Sequence, residues 1–457
     1  MVPSRDISSH GQSRLLRELG LRDAMAIVAG TVIGSGIFLV PNSVASQLSS
    51  LSGVLLVWII GGLLSLFGAL ALGELGAAFP GAGGLYVYLR EAYGKTVGFL
   101  YGWGLLTLIH SGSIATLAVA FRIYLAQIAP LTITEEKVVG VAGILVLTGV
   151  NCVGVRFGKG VQNVFALAKL GGLGLMVTLL FSRGRAHLLD ASFWPNGPVE
   201  FHPSHFGIAL IAVLWAYEGW HVVSFTAGEF KQPKRDLPRG LLYGTLIVAT
   251  TYFLANIAYY CVLTPAQILE TDRVAATAVS SVFGGAAAFF ISLLILVSMI
   301  GAANGMILTG PRVYYAMAAE GLFFRKFGSV SARFHTPVVA IVVQGVWAAC
   351  LTLLGTFQEL FTYVIFTAWI FYGLAVAGVI VLRIRRPDLD RPFRAPWYPW
   401  LPVLFTMAAI GIAVTAVLSS PLHAIFGIGL ILSGLPVFAV FVGRNKSQTS
   451  PAIVSPE

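Results

Sequence analysis

Two short stretches carry the residues whose types and spacing could do chemistry. AGTVIGSGIF (29–38) places Gly30, Gly34 and Gly36, with the hydroxyls of Thr31 and Ser35, inside an otherwise apolar run. LWAYEGWHVVSF (214–225) places Glu218 and Gly219 inside a second such run. Glycines and polar side chains in hydrocarbon point to helices that break there. A backbone N–H or C=O freed in a bilayer costs several kcal/mol unless protein, water or a ligand satisfies it. A zwitterion is a natural partner, because a half-helix N-terminus offers N–H groups to its carboxylate and free carbonyls receive its ammonium. The main-chain groups at Gly34, Ser35 and Gly36 and at Ala216, Tyr217, Glu218 and Gly219 are therefore candidate binding groups, with Val32, Ile33 and Trp215 beside them in the two stretches. The alternative for the glycines alone is close packing of two helices, a common use of small residues in membranes.

The elements that must hold these stretches follow from composition. Of the 457 residues 57% are hydrophobic and 11% charged, against roughly a quarter charged in a soluble domain. Twelve apolar stretches, near 23–48, 53–73, 96–121, 138–155, 161–181, 206–229, 240–262, 283–310, 337–356, 360–382, 400–418 and 422–442, are each long enough to cross about 30 Å of hydrocarbon. The expected fold is an all-α integral membrane protein of twelve helices. The two broken stretches are the first and sixth of these, and matching breaks in two halves point to an inverted repeat with a site between them. The expected organisation is a segment at 1–20, a repeat at about 21–182, a second at about 204–382, two more helices at about 397–443 and a polar, disordered tail at 444–457. Residues 1–20 lead into RLLRELGLRD (14–23) and read either as an amphipathic lead-in on the membrane surface or as a disordered tail.

The net charge of +10 is a matter of topology. With both termini inside, 22 of the 29 Lys and Arg fall in inner segments, as the positive-inside rule requires. No basic face on a soluble module is left for nucleic acid. Cys152, Cys261 and Cys350 are isolated, so no disulfide framework, metal pair or cofactor is indicated. A membrane-embedded enzyme would need convergent His, Glu or Asp groups in one pocket, and neither H-E-x-x-H nor a nucleophile elbow is present.

Further polar residues fall within the spans. Lys169, in VFALAKLGG, sits where an ammonium costs at least about 2.5 kcal/mol, so it should face protein or a cavity rather than lipid. Glu218 could attract a cationic side chain, pair with Lys169 or Arg312, take up a proton in a coupling cycle, or simply hydrogen-bond across the helix break. Asn304 could hydrogen-bond the breaks, meet Lys169 or brace helices, and His110 and Ser111 could line a pocket from the third span or pack within it.

TVIGSGIF, AYEGW followed by EFKQPKRDLPRG, ANGMILTGPRVYYAMAAEG and RIRRPDLDRPFRAPWYPWLP, in this order, resemble the amino acid–polyamine–organocation superfamily over about residues 20–415. Within it the chain is most similar to the L-type branch, the light chains of heteromeric amino acid transporters and their bacterial relatives. The resemblance implies a LeuT-like five-plus-five fold and amino acid exchange by alternating access in a cell membrane, neutral substrates first and cationic ones second. It implies that the N–H groups of Ser35 and Gly36 receive the carboxylate and the carbonyls of Val32, Trp215 and Glu218 the ammonium, with Trp215 as a gate. It also implies that Lys169 stands where sodium-coupled relatives hold a cation, which would make transport independent of sodium. Glu218 departs from the branch, which commonly has glycine there. The animal light chains carry a cysteine in the loop after the third span; AQIAPLTITEEK has none, so no heavy-chain subunit is expected.

Overall fold

A computed structural model describes residues 15–48, 50–126, 128–183 and 202–449. Those residues form nineteen α-helices and one isolated β-bridge. Eight helical stretches are long and apolar enough to cross a membrane, and a ninth is formed by α1 (Leu21–Val32) and α2 (Gly36–Ala45), which meet at a 45° bend. The eight include α3 (Leu51–Ala78), a run through α4 (Leu85–Tyr93) excluded, α5 (Lys95–Gly104) and α6 (His110–Leu125) joined by a π-turn at Leu105–Ile109, α8 (Val155–Arg183) and α10 (Pro233–Val262). They continue with α13 (Gly285–Thr309) running into α14 (Pro311–Ala319), α16 (Phe357–Arg385), α17 (Trp400–Ser419), and α18 (Pro421–Leu432) with α19 (Gly434–Thr449).

The three other expected spans are helical but fall outside that set. Ile133–Cys152 (α7) is 20 residues long and carries Glu135, Glu136 and Lys137 near its start. Pro203–Ala216 (α9) and Val338–Leu354 (α15) are apolar but shorter. Two short helices, α11 (Pro265–Leu269) and α12 (Val274–Phe283), precede α13.

Both ends of the chain differ from expectation where they are described. Residues 15–20 are not an amphipathic helix. Leu19 forms a parallel bridge with Phe230, Glu18 and Leu19 donate to the Glu229 carbonyl at 2.9 Å each, and Lys231 donates back to Leu19. The tail does not begin at 444, because α19 continues to Thr449. What the sequence leads one to expect of 1–14 and 450–457 lies outside the described residues.

Ion pairs tie several of these elements together. The buried Glu74 carboxylate takes Arg383 at 2.6 Å, Arg391 at 3.5 Å and the N–H of Ala395 at 2.7 Å, which ties α3 to α16 and the segment after it. Glu91 takes Arg386 at 2.7 Å. Burial pushes the Glu91 carboxyl up, but the guanidinium groups of Arg90 and Arg386 outweigh it and hold it below the ordinary carboxylate range. Glu229 and Arg312, both fully buried, pair at 2.8 Å between the segment after α9 and the start of α14.

Candidate site between two helix breaks

The first helix does stop where its glycines predict. α1 ends at Val32, Ile33 donates back to Ala29, and α2 starts at Gly36. Between them, no acceptor among the described residues meets the N–H groups of Gly34, Ser35 or Gly36. They form the open N-terminus of α2, where orphan donors and the positive end of the dipole favour an anion.

The second break is of another kind. α9 ends at Ala216, Tyr217 to His221 form turns, and Val222–Glu229 continues as a 3₁₀-helix. Gly219 makes the turn at φ +110°, a conformation closed to most residues with a Cβ.

The two breaks touch. A Cβ on Gly36 would lie 2.3 Å from the Ala216 Cα, and one on Gly219 would lie 2.9 Å from the Thr31 Cγ2. Glycine at both positions lets backbone meet backbone. Between the breaks remains a hollow of about 10 Å³, lined among others by Thr31, Val32, Ser35, Trp215, Glu218 and Met306. That is about the space of one water, so in this conformation the breaks are closed on each other. The Ser35 and Thr31 hydroxyls are buried there without a hydrogen-bond partner among the described residues.

Lys169 reaches this region from α8. Its Nζ donates to the carbonyls of Gly30 (2.5 Å) and Ile33 (2.8 Å), and its stem crosses the face of α13 at Gly301. Ser298 of α13 donates to the Ile33 carbonyl as well, at 3.0 Å. Carbonyls released where α1 stops are thus taken by side chains of α8 and α13, and the ammonium avoids lipid by facing protein.

Trp215 closes one side. It is 4% exposed and packs against Phe357 and Phe361 of α16, with ring centroids at 6.2 and 6.0 Å. The Trp215 carbonyl accepts from the N–H of Glu218 at 3.0 Å, and Tyr217 packs against Trp58 and Tyr252.

These contacts separate the alternatives that the sequence left open for Glu218, Arg312 and Asn304. Glu218 pairs with neither Lys169 nor Arg312: Tyr372 of α16 donates to its Oε1 at 2.6 Å and lies 3.1 Å from His221 Nε2. Arg312 is held by Glu229, the last residue of the 3₁₀-helix after the second break, whose carbonyl accepts from Glu18 and Leu19. Asn304 meets neither the breaks nor Lys169. It donates to Gln162 at 2.9 Å and accepts from Asn151 at 2.8 Å, bracing α13 against α7 and α8. His110 and Ser111 stand outside the lining of the small hollow. Ser111 donates to Leu106, a carbonyl of the π-turn, and His110 packs against His221 and Phe225.

Sequence reading missed Tyr252 and Tyr372. Tyr252 Oη lies 3.0 Å from the Val32 carbonyl and 3.1 Å from the Ala216 carbonyl, so one hydroxyl spans the ends of both broken helices. Tyr259, seven residues on and so on the same helical face, reaches the Ile37 carbonyl at 3.4 Å. That spacing was the available signal, hidden among the other aromatics of TYFLANIAYY.

The amino acid permease family model matches residues 19–453, nearly the whole chain. The chain belongs to the amino acid permease family. Among its relatives this permease is 34% identical over 438 residues to the b(0,+)-type amino acid transporter 1 of Homo sapiens, covering 94% of this chain and 88% of the relative. It is 32% identical over 439 residues to the serine/threonine exchanger SteT of Bacillus subtilis (strain 168), covering 95% and 98%. It is 30% identical over 448 residues to the large neutral amino acids transporter small subunit 2 of Mus musculus, covering 95% and 83%. A family of permeases and a bundle of membrane-crossing helices make this a multi-pass membrane protein.

Proposed function

We propose that this permease exchanges amino acids across the cell membrane without sodium, neutral L-amino acids first, by alternating access. The observation that carries the reading is the meeting of two interrupted helices with a lysine bonded to the carbonyls of one break. Ser35 and Gly36 would hold the substrate carboxylate through their N–H groups, and the carbonyls of Val32, Trp215 and Glu218 the ammonium. Trp215 would be the outer lid and Lys169 a fixed substitute for a mobile cation. Ile33, Gly34, Ala216, Tyr217 and Gly219 would shape the two breaks. The breaks must part to admit a solute, since the hollow between them is far smaller than an amino acid. The reading includes twelve spans as a five-plus-five repeat with two added helices, both termini in the cytoplasm, and work without a heavy-chain subunit. No covalent step or cofactor is needed.

A second reading, transport of cationic amino acids, is favoured by one observation. The Glu218 carboxylate lines the hollow, and the hydrogen bond from Tyr372 occupies only its Oε1.

The test uses purified protein in liposomes preloaded with a neutral amino acid. Labelled neutral substrate should enter without sodium and only when the lumen is loaded. Uptake that needs a proton gradient and gains nothing from preloading would reject exchange. Competition by arginine or lysine stronger than by any neutral amino acid would select the second reading.

A further inference from the structure

A second, larger hollow lies behind the breaks. It measures about 350 Å³ and is bounded by α6, α7 and α13, a size within the range of small-ligand pockets, about 300–1,000 Å³. Leu117 of α6 forms its back wall, Gly143 and Leu147 of α7 one side, and Met299 and Ala303 of α13 the other. No charged, hydroxyl or amide side chain lines it, so a polar solute would lose its hydration there without compensation. α6 and α13 belong to stretches long and apolar enough to cross a membrane, and α7 exposes Val146 of the lining and, beside it, Leu145. The medium outside is therefore hydrocarbon.

A flat helical face touches a lipid chain on one side. A groove between three helices touches it on several, and dispersion contacts, small singly, add up. The sequence keeps the groove open, since a Cβ on Gly143 would meet nothing within 4 Å. Leu117 is shared: it lines this groove and also the small hollow between the breaks. Its Cδ2 lies 3.0 Å from the place of a Cβ on Gly34.

We propose that the groove between α6, α7 and α13 holds the acyl chain of a bilayer lipid, and that this chain braces Leu117 against the first helix break. The lipid then sets how freely the break can move, without touching the transported solute.

The test uses the full chain in nanodiscs containing a phospholipid with a diazirine midway along one acyl chain. After photolysis, label should concentrate on 139–147 and 299–303 relative to the exposed Leu404, Met407 and Ile410 face of α17. Gly143→Trp should lower groove labelling about fivefold, the equivalent of about 1 kcal/mol, and change the exchange rate several-fold. Leu145→Trp, beside the groove and outside its lining, should do neither. Labelling that follows exposure alone, or that Gly143→Trp leaves unchanged, would overturn the site as annular lipid only. A loss of labelling with an unchanged exchange rate would overturn the bracing of Leu117. Should Gly143→Trp not extract as a monodisperse protein, Ala142→Phe, also in the lining, carries the same comparison. The labelling arm does not depend on which solute is carried, so it can fail or succeed apart from the proposed transport.

Discussion

Replacing Lys169 by methionine keeps most of the side-chain volume and removes the donor that holds the end of α1. Two hydrogen bonds are lost, to Gly30 at 2.5 Å and to Ile33 at 2.8 Å. Each, from a charged donor, is worth about 1.5–3 kcal/mol, which bounds the loss at about 3–6 kcal/mol. The Ile33 carbonyl keeps Ser298 at 3.0 Å, so its share falls and about 2–4 kcal/mol is the better figure. At tenfold per 1.4 kcal/mol, the population holding the break in this geometry drops by about 30-fold or more. Counterflow in preloaded liposomes should show exchange reduced by at least that factor, with the variant inserted and monodisperse. Ser298→Ala, which removes one neutral bond of about 1 kcal/mol, should cost about fivefold. Exchange by Lys169→Met within twofold of the unaltered protein would refute the idea that the lysine holds the break.

Four further outcomes follow, three from contacts at the breaks and one from the buried ion pair of Glu229 and Arg312. Tyr252→Phe removes the hydroxyl shared by the Val32 and Ala216 carbonyls and should slow exchange by about tenfold, one to two neutral hydrogen bonds, with little change in thermal stability. Gly36→Ala places a Cβ 2.3 Å from the Ala216 Cα; at about 1–3 kcal/mol of overpacking, exchange should fall while the protein still extracts. Trp215→Ala removes two aromatic contacts of about 0.5–1.5 kcal/mol each, and half-saturation should rise about tenfold in liposome uptake. Glu229→Gln leaves the fully buried Arg312 without its carboxylate, a loss of about 3–5 kcal/mol, to be seen as a lowered melting temperature by size-exclusion after heating.

Much of the architecture was legible because hydrocarbon enforces it. A bilayer leaves a chain little choice but helices, so each apolar stretch could be read as one. The break at Gly34–Gly36 was legible because glycine and hydroxyl residues are costly in such a helix unless the backbone is used. Lys169 was legible as a residue that must face protein, for the same reason. The resemblance added the family, and the family match bears it out.

What the sequence could not decide was who meets whom. Glu218 had three plausible partners by charge, and the fold gave it a fourth, Tyr372, 154 residues away and neutral. Arg312 went to Glu229 and Asn304 to Gln162 and Asn151, because partner choice depends on the rotation of each helix about its axis. The pairing of Glu18 and Leu19, in a segment readable as a lead-in or a disordered tail, was hidden for a related reason. Its hydrogen bonds run to backbone at 229–231, which has no side-chain signature. Composition, then, determined that the chain folds into apolar helices and which polar residues within them must be satisfied. Only tertiary packing decided which atoms satisfy them, since hydrogen bonds act over about 3 Å and a helix turned by one residue presents a different face.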